Sequence, residues 1–151
     1  MAHVHSVYDT DPHFKIDGKT RKVTNQSEVK TTIFQYDHNS ERFTFEMPRF
    51  IDSHDMTLCD TVEIHWINAV SATKEQHTGI YNVNDFQVSP ADEDVVICSW
   101  LISNDITQHV GRLSFIVRFM CTDEDGEPVY VWSTAVHSGV TIAYSIDNTE
   151  R

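Results

Sequence analysis

The chain has 151 residues, 40% of them apolar and 11% aromatic, which suits one domain with a real hydrophobic core. Its 23 acidic and 11 basic side chains give a net charge of -12. That balance argues against nucleic acid and against an anionic membrane surface as partners, because both are bound by neutralising phosphates with Lys and Arg.

The charge is uneven. Residues 1–35 carry a net +1 and residues 36–151 a net -13, so a slightly basic start precedes a strongly acidic body. Three cysteines, Cys59, Cys98 and Cys121, have no CxxC spacing, and nothing demands an oxidising compartment. The first residues lack the apolar run of a signal peptide, so synthesis in the cytoplasm without a cleaved leader is expected. No apolar stretch approaches the roughly 20 residues a membrane-spanning helix needs.

Taken in order, residues 1–25 read as a polar, extended N-terminal arm that docks on a neighbouring subunit. Phe14-Lys15-Ile16 before Asp17-Gly18 suggests a short extended piece ending in a turn. Val29–Tyr36 is rich in β-branched and aromatic residues and reads as a strand. Arg42–Met47 alternates, with Phe43, Phe45 and Met47 on one face, and Pro48 ends it. Joined by Asp37-His38-Asn39-Ser40, these two segments suggest a hairpin over 29–47.

Arg49–Asp60 is irregular, with room for one helical turn. Thr61–Asn68 alternates, with Val62, Ile64 and Trp66 on one side and Glu63, His65 and Ile67 on the other. Ala69–Thr78 reads as a polar connection that could hold a short helix. Gly79–Val83 and Phe86–Val88 are short strand-like pieces, and Ser89–Asp94 is an acidic loop.

Two long apolar segments follow. Val95–Ile102 is apolar at almost every position and suits a central strand covered on both faces. Arg112–Cys121 alternates, with Leu113, Phe115, Val117, Phe119 and Cys121 on one face. These two segments should face each other across the polar bend at Asn104–His109 and form the middle of the core. Asp123-Glu124-Asp125-Gly126 reads as a hairpin turn leading to a partner strand at Val129–Thr134. Ser138-Gly139 breaks the pattern before Val140–Tyr144 closes the sheet.

Turn signals recur roughly every ten residues, as in a sandwich. The expected fold is therefore all-β: an antiparallel β-sandwich, immunoglobulin-like or similar, of seven to nine strands. Its expected organisation is an arm (1–25), a single sandwich domain (26–146) and a frayed C-terminus (147–151).

Few constellations suggest chemistry. Asp52-Ser53-His54-Asp55 contains the letters of a hydrolytic triad, but adjacent residues cannot converge as a triad must. Nine histidines invite a metal reading. His3, His5 and His13 lack a preformed frame, and His65 and His137 fall in or near strands, so no metal is expected. Asp123, Asp125, Gly126 and Glu127 match only part of a calcium loop and read as a turn. No glycine-rich phosphate loop is present, so no cofactor is expected. Trp66, Trp100 and Trp132 lie within strand patterns that favour core packing over a sugar-stacking platform, while Tyr8 and Tyr81 are less constrained. Interaction candidates are His3, His5, Tyr8, Phe14, Ile16, Lys19, Arg21 and Lys22 on the arm, with the acidic loops at Pro90–Asp94 and Asp123–Glu127 as further contact surfaces.

Four segments carry a resemblance: YDHNSERFTFEMPRF (36–50), HDMTLCDTVEIHWIN (54–68), VSPADEDVVICSWLIS (88–103) and GRLSFIVRFMC (111–121). Over roughly residues 8–144 the chain resembles small virion structural proteins of phages and prophages of Firmicutes. The strand logic of 94–142 is also similar to the N-terminal domain of phage baseplate upper proteins. The resemblance implies a non-enzymatic virion component: a capsid decoration, a head-fibre base or a baseplate/tail adaptor. It implies location in the virion after synthesis in the host cytoplasm, and partners that are copies of itself and other virion proteins. The alternative is a carbohydrate-binding module that adsorbs to a host cell-wall glycan. An enzyme would need paired carboxylates or a metal in a cleft, and the acids fall in turn-like loops.

Overall fold

Alternating sequence buries one face of each long strand, and the two sets of buried faces meet in one core. The computed structural model describes residues 12–26 and 32–144. The chain runs through β1 (His13–Ile16), β2 (Val23–Asn25), β3 (Thr32–Phe34) and β4 (Glu41–Pro48). A small excursion follows, made of β5 (Phe50–Ile51), β6 (His54–Asp55) and a single 3-10 turn (Met56–Leu58). Then come β7 (Thr61–Val70), β8 (Gln76–Asn82), β9 (Gln87–Ser89) and β10 (Asp92–Ile102). A short helix, α1 (Asn104–Thr107), leads to β11 (Gly111–Thr122), β12 (Pro128–Ser133) and β13 (His137–Ala143).

The fold is an all-β sandwich. One sheet has the order β2-β1-β4-β10-β9, and the other has β3-β13-β11-β7-β8. β12 also pairs with β11, taking the C-terminal half of the edge that β13 occupies further back. Most pairings are antiparallel, but β1 runs parallel to β4 and β3 parallel to β13. No helix among the described residues is long and apolar enough to cross a membrane.

The two long segments singled out in the sequence face each other as expected, one from each sheet. β11 buries Leu113, Phe115, Val117 and Phe119, while β10 buries Val96, Cys98, Trp100 and Ile102. Phe115 is the meeting point. Its ring packs at 5.2 Å from Trp100, 5.7 Å from Phe45, 5.8 Å from Phe14 and 6.5 Å from Phe43. Edge-on and tilted contacts of this kind suit the ring quadrupoles. Ser99 is the polar exception among the buried residues of β10. It is buried, its N–H donates to Asp85 Oδ1 at 2.9 Å, and its hydroxyl accepts from Arg42 at 2.7 Å.

Asn68 closes one end of the core. Its buried amide donates to the carbonyls of Ile106 (3.2 Å) and His109 (2.9 Å), fixing α1 across the sheets. The turn after β11 matches the sequence expectation. Gly126 takes φ +79°, and Asp123 Oδ1 accepts from the N–H groups of Asp125 and Glu127 at 2.9 Å. That carboxylate is occupied as a turn cap.

Several expectations are corrected. There are thirteen strands among the described residues rather than seven to nine. The extra ones are two- and three-residue ladders, too short to display alternation. The segment 29–47 is not a hairpin, since β3 joins β13 in one sheet and β4 joins β1 and β10 in the other. Tyr36 and Asn39 take left-handed backbone (φ 73° and 57°), and their N–H groups donate to Thr107 and Ile102, so the chain crosses between sheets. No helix forms at 69–78. β7 and β8 run on to a tight turn in which Lys74 has φ 66°. Ser138-Gly139 does not end a strand, because β13 absorbs it as an irregularity in its register with β11.

The largest correction concerns the arm. Residues 13–25 belong to the sandwich, with β1 inserted between β2 and β4. Phe14 and Ile16 are core residues at 0% and 1% exposure. A segment of four residues cannot reveal from sequence that its partner is a strand further along the chain. Residues 147–151 lie outside the described part.

His137 sits at the seam between the sheets. Its Nδ1–H donates to the Val23 carbonyl on β2 at 3.0 Å, and its ring packs at 5.2 Å from Phe14 and 5.3 Å from Phe115. Burial holds its pKa below the ordinary 6.5. The unfolded chain therefore takes up this proton more readily, and folded stability falls as pH drops through the ordinary value toward the lowered one. His137→Gln should flatten that loss between about pH 7 and pH 5, as read by urea denaturation at each pH. Phe115→Ala should cost about 3–5 kcal/mol in the same assay, because it removes the ring on which both sheets converge.

Candidate functional site

Two features of the surface invite function. The first is the outer face of the six-stranded sheet. Register places Ile80, His65 and Ile116 side by side across β8, β7 and β11, with Thr78, Ile67 and Ser114 in the adjacent row. Ile67, Ile80 and Val136 are exposed at 40%, 56% and 64%. Together they border a shallow groove of about 690 Å³ in which Ser114, Thr78 and His65 are the polar members and no carboxylate takes part. Gly79 forms part of its floor. A Cβ there would lie 2.5 Å from the Trp66 ring, so only glycine lets β8 pass so close to the indole. His65 is paired with Glu63 at 2.9 Å on the same face.

The alternation of β7 and β11 already placed Ile67 and Ile116 on the side opposite the core. An apolar residue on the outward register was thus the available sign of this patch.

The second feature is a cluster of soft donor atoms beneath the small excursion. Asp52 and Ser53 both take left-handed backbone (φ 51° and 70°), and this two-residue turn folds β6 back on β5. That turn swings His54 toward the end of β11. Asp55 then accepts from the N–H of Thr57 at 3.0 Å, and both its oxygens pair with Arg49 at 3.1 Å. The Arg49 guanidinium holds the Asp55 carboxyl well below the usual range. Cys59 follows the 3-10 turn, and the N–H of Asp60 donates to Met120 beside it at 3.0 Å, tying this segment to β11.

The outcome is three side chains whose donor atoms all lie within 4.8 Å of one another: His54, Cys59 and Cys121. The two sulfurs are 3.5 Å apart, and Cys121 Sγ is 3.7 Å from His54 Nε2. The His54 ring stacks on Tyr130 at 3.8 Å. Burial, reinforced by the neighbouring sulfur of Cys121, pushes the Cys59 thiol up to about 12. The sequence, in which each cysteine stands alone, predicts no metal here. His54 and Cys59 are five apart, but the third member is 62 residues from Cys59, a spacing that corresponds to no motif. The hydrolytic reading of Asp52–Asp55 finds no support in the geometry, since Asp55 is engaged by Arg49 and Thr57.

The arm candidates divide. Phe14 and Ile16 are buried and unavailable for contacts, because they form core on β1. Arg21 is spent on the fold: its guanidinium donates to the Ser133 carbonyl at 3.0 Å and lies 4.9 Å over the Trp132 ring. Lys19 and Lys22 have exposed side chains at the turn between β1 and β2. His3, His5 and Tyr8 lie outside the described residues. Of the other histidines, His13 pairs with Glu46 at 2.6 Å and Thr44 at 2.9 Å. The three tryptophans are all buried, as the sequence suggested.

Fold and surface define a β-sandwich with one apolar outer sheet face and a histidine–cysteine cluster at one end. No protein-family model and no curated protein matches the chain.

The turn at Asp52-Ser53 carries strain, since non-glycine residues resist positive φ by roughly 1–2 kcal/mol each. Ser53→Gly should therefore raise stability by about 1 kcal/mol in urea denaturation, with the fold unchanged.

Proposed function

We propose that the chain is a non-enzymatic virion structural protein that assembles with copies of itself and with other virion proteins. It would serve as a capsid decoration, a head-fibre base or a baseplate/tail adaptor. The reading rests on the phage-family resemblance, and the observation that carries it furthest is the outer face of the six-stranded sheet. Exposed Ile67, Ile80 and Val136 form an apolar strip there with no carboxylate in the groove, in a chain of net charge -12. Copies of so acidic a protein repel one another over most of their surface, so an apolar groove whose nearest acid, Glu63, is already paired with His65 is where self-association costs least. Closed symmetry, common in such oligomers, would pair this face with the same face of a second copy.

A glycan-binding module is the second reading. The buried tryptophans cannot stack on sugars, but Phe34, Tyr36 and Tyr144 are exposed at 45%, 65% and 56% near the β3–β13 edge.

Light scattering of the full chain should give an oligomer. Ile67→Glu combined with Ile80→Glu should give a monomer of unchanged thermal stability, because both side chains are exposed. A wild-type monomer that is absent from purified particles would sink the assembly reading. Binding to host wall polysaccharide that survives the double substitution and is lost with Tyr36→Ala would favour the glycan reading instead.

A further inference from the structure

We propose that His54, Cys59 and Cys121 bind a zinc ion, supplying three ligands of a tetrahedral centre. The site is independent of the assembly reading and rests on donor geometry. Zinc bonds of about 2.3 Å to sulfur and 2.0–2.1 Å to nitrogen, at tetrahedral angles, put bound sulfurs roughly 3.8 Å apart and a sulfur and a nitrogen roughly 3.6 Å apart. The corresponding separations here are 3.5 Å between Cys59 and Cys121 and 3.7 Å between Cys121 and His54. Two of the three donor separations thus already match edges of the tetrahedron that zinc demands, and the third pair, His54 and Cys59, lies within 4.8 Å.

The frame around them is fixed. The left-handed Asp52-Ser53 turn aims His54, and the Tyr130 ring stacked on it sets the imidazole plane. Cys59 is held by its own N–H, which donates to Met56 at 3.1 Å, and by the adjoining Asp60–Met120 bond. Cys121 lies in the ladder between β11 and β12, opposite Tyr130. Thr122, next to Cys121, donates its hydroxyl to Asp60, next to Cys59, so Asp60 ties the Cys59 segment to β11 on both sides of Cys121. Ligands that are pre-positioned by such neighbours lose little freedom on binding.

The donor chemistry selects the ion. Two thiolates and an imidazole are soft to borderline ligands, which suit zinc and reject calcium and magnesium. Two neighbouring thiolates carry a charge of -2 that a divalent cation neutralises, with both thiol protons released to solvent on binding. Placed there, the ion would pin the β5–β6 excursion to the end of β11.

The test uses the full chain purified under reducing conditions. Elemental analysis should find one zinc per chain. Cobalt exchanged into the site should show the near-ultraviolet thiolate charge-transfer absorption and the intense visible bands of tetrahedral coordination. Cys59→Ser and Cys121→Ser should each abolish the thiolate band or weaken metal affinity by at least about tenfold, and His54→Ala should weaken it similarly. Cys98→Ser, a buried cysteine outside the cluster, should leave both unchanged. His54→Ala removes a partly exposed ring and keeps the fold under test if a cysteine variant fails to fold. Folded, reduced wild-type protein with neither zinc nor a cobalt–thiolate band overturns the proposal. So does equal metal content in wild type and Cys121→Ser, or a Cys59–Cys121 disulfide in protein purified without added oxidant.

Discussion

The structure depends on one ring. Phe115 projects from β11 into a space bounded by Trp100 on β10, Phe43 and Phe45 on β4, and Phe14 on β1. Each strand of the first sheet that reaches the centre does so by touching this side chain or a ring in contact with it. A sandwich core is only about 10 Å thick, so a single layer of interdigitating aromatics fills it. The tolerances elsewhere follow. The outer faces can vary in polarity, while inward positions must supply rings and branched aliphatics of matching volume.

That constraint explains what could be read from the sequence. β7 and β11 each have one side against the core and one outside, so Val62, Ile64 and Trp66, or Leu113, Phe115 and Val117, separate cleanly from their neighbours. β10 was legible for a different reason: it lies between β4 and β9, and its half-buried outward positions Val95, Ile97 and Leu101 are apolar too, so the whole run reads as apolar. Phe14 and Ile16 were misplaced because β1 spans four residues, and its pairing with β4 is parallel and distant in sequence. Local pattern cannot report a partner that arrives later. The β3-to-β4 connection misled similarly, since turn-forming residues mark a change of direction without saying whether the chain returns to the same sheet.

The histidine–cysteine cluster was invisible for a third reason. Its members come from a two-residue ladder, the end of a 3-10 turn and the far end of a long strand. What unites them is a strained turn at Asp52-Ser53, and consecutive positive φ values leave no compositional trace where the usual Asn-Gly or Asp-Gly is replaced by Asp-Ser. The outer-face patch, by contrast, was implicit in the same alternation that located the core. An outward position occupied by isoleucine is a statement about partners as much as about strands.

The interleaved topology bears on how the protein is made. Phe14, on the first described strand, meets Phe115 only after most of the chain has been synthesised, and among the described strands β3 pairs with β13 alone. A ribosome-bound fragment that lacks residues 111–143 holds β3, β7 and β8 of the second sheet but not its central strand β11. It exposes the apolar faces of β4 and β10 to whatever is nearby. The sandwich therefore cannot mature in halves. Its many contacts between distant parts of the chain predict slow folding compared with a helical domain of similar size.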